Sequence, residues 1–245
     1  MHDGFSSELV KLNHNEVLES LKAIAQPAKA LIMAGYFKAG VGEYAEGDQF
    51  LGIAVPDQRA IAKKFRELQL DQLKLLLESP WHESRSTALF ILVMQFERAK
   101  ESFRSDIVEF YLANLDAVNN WDLVDSSAPN ILGQYALEKV GYRKRIDQLA
   151  ASGDLWRERI SVLATRPQIK DGDFTQFQKF ACKFLTHKHD LMHKAVGWML
   201  REMGEQDLYS LLAFLDLWVS KMPRTMLRYA IEKLPDGQRK DYLKR

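Results

Sequence analysis

Five short blocks recur along the chain at a nearly fixed interval: R-S-T-A-L from Arg85, D-S-S-A-P from Asp125, R-I-S-V-L from Arg159, H-K-A-V-G from His193 and L-R-Y-A-I from Leu227. Their starts lie 40, 34, 34 and 34 residues apart, and the fourth residue is always Ala or Val: Ala88, Ala128, Val162, Val196 and Ala230. A small residue at a fixed place in a repeat marks close helix packing. Each block follows another amphipathic stretch, so the unit is a helical hairpin that can bury its apolar face only by stacking on its neighbours. The interval also suits tetratricopeptide repeats, but their W-x2-L-G-x2-Y signature is absent from these units, and HEAT-like repeats fit better.

The stretches between the blocks support an all-helical chain. Apolar residues fall at three- and four-residue steps, not in alternation, across Val17 to Ile24, Arg59 to Leu68, Leu70 to Leu77, Ile107 to Leu115, Phe174 to Leu185 and Leu208 to Trp218. Breaks come at Glu78-Ser79-Pro80, Ser152-Gly153-Asp154 and Lys170-Asp171-Gly172-Asp173. Only Gly40 to Gly52, with four glycines and the acids Glu43, Glu46 and Asp48, reads as an irregular loop; Pro56 and Asp57 then open a new helix. No linker or low-complexity tract divides the sequence. The expectation is one HEAT-like solenoid domain over residues 1–245.

Composition narrows the function classes. Hydrophobic residues make up 47% of the chain, ample for a core, and 34 Lys and Arg against 33 Asp and Glu give a net charge of +1. Such a balance neither demands nor excludes a polyanionic partner, because distribution matters more than the sum. The single cysteine, Cys182, rules out an internal disulfide framework and fits a reducing compartment. The longest apolar run, Ala88 to Met94, is far too short to span a bilayer, and Met1 to Lys11 lacks an export signal. A cytoplasmic monomer is expected, with no membrane association.

Stacking equivalent helices puts equivalent residues in a row: Arg85, Asp125, Arg159, His193 and Leu227, with Trp121 one turn before Asp125 and Trp198 just beyond His193. The residues alone favour a structural ladder in which Arg85, Asp125 and Arg159 pair between adjacent helices. The functional reading is that tryptophan, carboxylate and arginine share the concave stripe that solenoids use for binding. Trp121 and Asp125, four residues apart, lie on one helical face.

At these residues the sequence resembles the AlkD-type DNA alkylation repair enzymes, DNA glycosylases built from HEAT-like repeats. The resemblance is carried by W-D-L-V-D-S-S-A-P-N-I-L-G from Trp121, L-W-R-E-R-I-S-V-L from Leu155, K-A-V-G-W-M-L-R-E from Lys194 and F-L-G-I-A-V-P-D-Q-R-A from Phe50, in the family's order and over nearly the whole chain. It implies a concave DNA-binding groove and excision of positively charged N3- and N7-alkylated purines from double-stranded DNA, without flipping the base into a deep pocket. By position, Trp121 and Trp198 match the two aromatic walls, Asp125 the essential carboxylate, Arg159 the residue that engages the backbone at the lesion, and Tyr36 a tyrosine that supports DNA. Arg85, Arg159, Lys194, Arg201 and Arg228 are further candidates for phosphate contacts, with Arg166 and the run Arg143-Lys144-Arg145 less firmly placed. For that run, a solvated helix start is an equal reading.

His187, His189 and His193 beside Cys182 lack a complete ligand set with recognised spacing, so no metal is expected. G-V-G-E-Y-A-E-G from Gly40 is acidic where a nucleotide loop needs lysine, and no cofactor is implied. The competing function class is a non-catalytic HEAT-like scaffold that binds DNA or a protein through the same stripe.

Overall fold

The computed structural model describes residues 12–245; Met1 to Lys11, read above for an export signal, lies outside the described residues. By its internal contacts the chain divides into two compact units, one ending at Phe103 and the other running from Arg104 to Arg245. Both are helical. Among the described residues the only extended pairing is an isolated bridge between Gln49 and Trp81.

The first unit contains α1 (His14–Lys22), α2 (Pro27–Tyr36), α3 (Val55–Lys64), α4 (Leu70–Leu77) and α5 (His82–Arg98). Helix α1 opens with a capping box, in which Asn13 accepts from the backbone of Asn15 and Glu16 while Glu16 reaches back to the Asn13 amide. Helices α1, α3 and α4 pack around α5, burying Leu21, Ile61, Leu73, Leu76, Leu89 and Ile91; each such side chain contributes roughly 2 kcal/mol of hydrophobic free energy. The expected irregular loop is present between α2 and α3. Its return is tied down by Glu83 on α5, whose buried carboxylate accepts the backbone amides of Leu51, Gly52 and Ile53 at 2.9, 2.8 and 3.2 Å. Pro56 stands in the first turn of α3, as its fixed φ and missing amide favour.

Helix α6 (Glu101–Ala113) carries the chain into the second unit. There follow α7 (Trp121–Ser127), α8 (Gln134–Glu138), α9 (Arg143–Ala150), α10 (Leu155–Leu163), α11 (Arg166–Lys170), α12 (Thr175–Lys183), α13 (Asp190–Gln206), α14 (Leu208–Trp218), α15 (Arg224–Ala230) and α16 (Asp236–Lys244). Within this unit α7 packs on α10, α10 on α13 and α13 on α15. These helices carry four of the repeated blocks, and Ala128, Val162, Val196 and Ala230 are all buried. The helical-repeat reading of the fold is confirmed here: small residues at the fourth position let successive second helices approach. Gly197 takes this further, since a Cβ there would stand 2.5 Å from the Met226 carbonyl oxygen on α15.

Candidate functional site

Helix α7 is short and has two distinct faces. Asn120, in extended conformation, places its side-chain oxygen 2.8 Å from the Trp121 amide and starts the helix. Leu123, Val124 and Ser127 are buried, which leaves Trp121, Asp122, Asp125 and Ser126 half-buried on the opposite side. Two turns on, Pro129 cannot donate to the Asp125 carbonyl, and the chain widens into a π-turn over Pro129–Gly133, with the Gly133 amide donating to Ala128 O at 2.9 Å. Gly133 is required there because a Cβ would meet the Ala164 carbonyl at 2.5 Å.

Asp125 is held from the neighbouring helix by Arg159. The guanidinium makes a two-pronged contact, Nε to Oδ1 at 2.9 Å and Nη2 to Oδ2 at 2.8 Å, while Nη1 donates to the Leu191 carbonyl at 2.5 Å. Arg159 thereby links α7, α10 and the start of α13. Its side chain is 5% exposed, against 18% for Asp125. Burial pushes the Asp125 carboxyl above the usual aspartate range; the charge and hydrogen bonds of Arg159 oppose this without cancelling it, and the charge of Asp122 adds to it. The result is a partly accessible carboxylate fixed in orientation by a buried arginine.

Trp198 lies half-buried on α13. Its indole Nε1 donates to Glu202 at 3.0 Å, one turn along the helix. Arg166, from α11, donates its Nε to the other oxygen of Glu202 at 3.0 Å and sets its guanidinium 5.5 Å from the indole centroid. Burial works against charge on Glu202, yet the hydrogen bonds from Arg166 and Trp198, with the charges of Arg166 and Lys170, hold it below the usual glutamate range. Neither Glu202 nor this role for Arg166 was foreseen from the residues. The only sequence signal was the four-residue step from Trp198 to Glu202.

The remaining candidates fall in varied settings. Lys194 pairs with Asp190 at 2.8 Å, Arg201 is half-buried against Glu232, and Arg228 is exposed on α15. Arg143 and Arg145 pair with Asp173 and Glu109 at the start of α9, in keeping with a solvated helix start. His187 donates its Nε2 to the Glu158 carboxylate at 3.0 Å, His193 contacts the His187 carbonyl, and the His189 ring accepts the Leu191 amide. In the first unit Tyr36 is 64% exposed at the end of α2. Arg85, by contrast, is 5% exposed. It sits 2.7 Å from Asp48 and donates to the Ser79 carbonyl at 3.0 Å. The ladder expected from the repeat therefore has its Asp125 to Arg159 rung, while Arg85 takes its partner from the Gly-rich loop. Asp48, one of the acids of that loop, is buried with it, its carboxylate 2.7 Å from Arg85 and 3.3 Å from the His82 ring.

The all-α repeat fold has a counterpart in the comparison of sequences: residues 17–234 match the family model described as DNA alkylation repair enzyme. The chain belongs to that family. Among solved structures it is similar to a protein from Enterococcus faecalis described as a predicted DNA alkylation repair enzyme, with a TM-score of 0.68 and 15% identity over 86% of this chain and 97% of that one; at that identity the likeness concerns the fold. None of the curated proteins matches the chain significantly. No helix among the described residues is long and apolar enough to cross a membrane.

Proposed function

We propose that the chain is a DNA glycosylase that removes positively charged N3- and N7-alkylated purines from duplex DNA, acting as a cytoplasmic monomer without base flipping. The observation that carries this reading is Asp125: a carboxylate left 18% exposed, one helical turn from Trp121, with its orientation fixed by two hydrogen bonds from Arg159. That open edge leaves the carboxylate within reach of solvent and of a bound ligand.

The chemistry asks little of the protein. A purine alkylated at N3 or N7 carries a positive charge, so when the bond from N9 to C1′ breaks, its electron pair neutralises the departing base. The sugar is left as an oxocarbenium-like cation. Asp125 stabilises that cation and orients the water that adds to C1′, whose proton passes to solvent. Trp121 and Trp198 offer the negative faces of their indoles to the cationic base and sugar. Because Arg159 is committed to Asp125 and the Leu191 carbonyl, its first task is to place the carboxylate; phosphate contacts fall to exposed or half-buried cations such as Arg228, Lys194 and Arg201, with Tyr36 as a further DNA contact.

The test is chromatographic detection of free 7-methylguanine or 3-methyladenine after the purified protein acts on methylated duplex DNA. Release above the spontaneous rate is expected. Duplex binding with no release, under conditions where the protein is folded, returns the chain to the scaffold class.

A further inference from the structure

We propose that Glu202 positions the indole of Trp198 and sets its preference for cationic over neutral ligands. The inference rests on the glycosylase reading and deepens it at a residue that reading does not require.

Trp198 is held at its edge by the hydrogen bond from Nε1 to Glu202 at 3.0 Å, and it is approached by the Arg166 guanidinium at 5.5 Å from the ring centroid. An arginine so close raises the local potential and opposes any second cation brought to the ring. Glu202 offsets it, because its other oxygen takes the Arg166 Nε at 3.0 Å. The carboxylate also accepts the indole N–H in a charge-assisted bond, which draws the proton outward and leaves the ring faces more negative. With its side chain 12% exposed, Glu202 acts at short range with little solvent screening. One carboxylate thus fixes the orientation of the indole, cancels a neighbouring cation and strengthens the ring as a cation acceptor. Glu202 is a positioning residue; Trp198 is the group that meets the ligand.

Two probes separate charge from shape: a duplex with a protonated pyrrolidine in place of one deoxyribose, and the same duplex with neutral tetrahydrofuran there. Wild type should bind the pyrrolidine duplex more tightly. In Glu202→Gln, which keeps an acceptor for the indole N–H but loses the charge, that preference should fall by about five- to tenfold. Adding Arg166→Gln to Glu202→Gln removes the uncompensated cation and should restore most of it. The indole N–H resonance of Trp198, assigned by its disappearance in Trp198→Phe, should shift strongly in Glu202→Ala and less in Glu202→Gln. An unchanged preference in Glu202→Gln, or a double variant no better than the single one, overturns the charge role; an unmoved indole resonance in Glu202→Ala overturns the positioning role. Wild-type protein that releases alkylated base and prefers pyrrolidine, with a Glu202→Gln variant that behaves identically, defeats this proposal alone. Wild type that does neither defeats the glycosylase reading and this inference together.

Discussion

Replacing Arg159 with Met tests the centre of the site through stability alone. The substitution keeps much of the apolar stem and removes three hydrogen bonds: two to Asp125, at 2.9 and 2.8 Å, and one to the Leu191 carbonyl at 2.5 Å. Stripping the partner from a wholly buried charge costs about 3–5 kcal/mol. Asp125 retains 18% exposure, so water reaches one side and the cost should lie nearer 2–3 kcal/mol. For a unit of 142 residues (104 to 245) that is a drop in melting temperature of about 5 to 10 °C, readable by far-ultraviolet circular dichroism. The loss should depend on pH. Without Arg159 the folded-state pKa of Asp125 rises further above its ordinary value of 3.8; a raised folded pKa favours the folded state below the unfolded value and loses that advantage as pH rises through the folded value. The deficit should therefore be full at neutral pH and shrink on acidification toward the ordinary value. In Asp125→Asn with Arg159→Met the two costs should fall short of additive by about 1 kcal/mol or more. A melting temperature within about 2 °C of wild type, or strict additivity, would refute the reasoning.

Three further outcomes follow from the same geometry. Excision should decline as pH falls through an Asp125 pKa above 3.8, and Arg159→Met should move that acid limb to higher pH; a limb at or below 3.8 in wild type contradicts the effect of burial. Gly197→Ala would bring a Cβ within 2.5 Å of the Met226 carbonyl and 2.6 Å of the Tyr229 Cβ, and should destabilise the second unit by about 2 kcal/mol in urea titration; a neutral result would mean that α13 and α15 can separate freely. Duplex affinity should weaken steeply with salt, with Arg228→Gln reducing the logarithmic slope by about one; a flat response would argue for a protein partner.

The repeat was legible because it is written in local chemistry. A 34-residue hairpin carries its own apolar period and its own small residue, so Ala128, Val162, Val196 and Ala230 could be placed on buried faces without tertiary information. Trp121 and Asp125 were equally readable, since a four-residue step fixes a shared face wherever the helix lies. Partners chosen through space were not. Nothing in the sequence says that Arg85 turns to Asp48 in the Gly-rich loop, or that α11 brings Arg166 onto Glu202. The division at Phe103 and Arg104 left no compositional mark because it falls within the first turn of α6. The π-turn after Asp125 had a signal in Pro129, whose missing amide frees the carbonyl four residues before it.

The proposed chemistry depends on the charge of Asp125. Its most direct measure is single-turnover release of 7-methylguanine from a duplex carrying one such lesion, compared between wild type and Asp125→Asn, with duplex affinity measured on the same preparations. The substitution keeps size and hydrogen-bonding capacity but removes the negative charge facing the sugar cation. Release should slow by about 100-fold or more, with affinity nearly unchanged. Release at the wild-type rate would contradict the proposed chemistry.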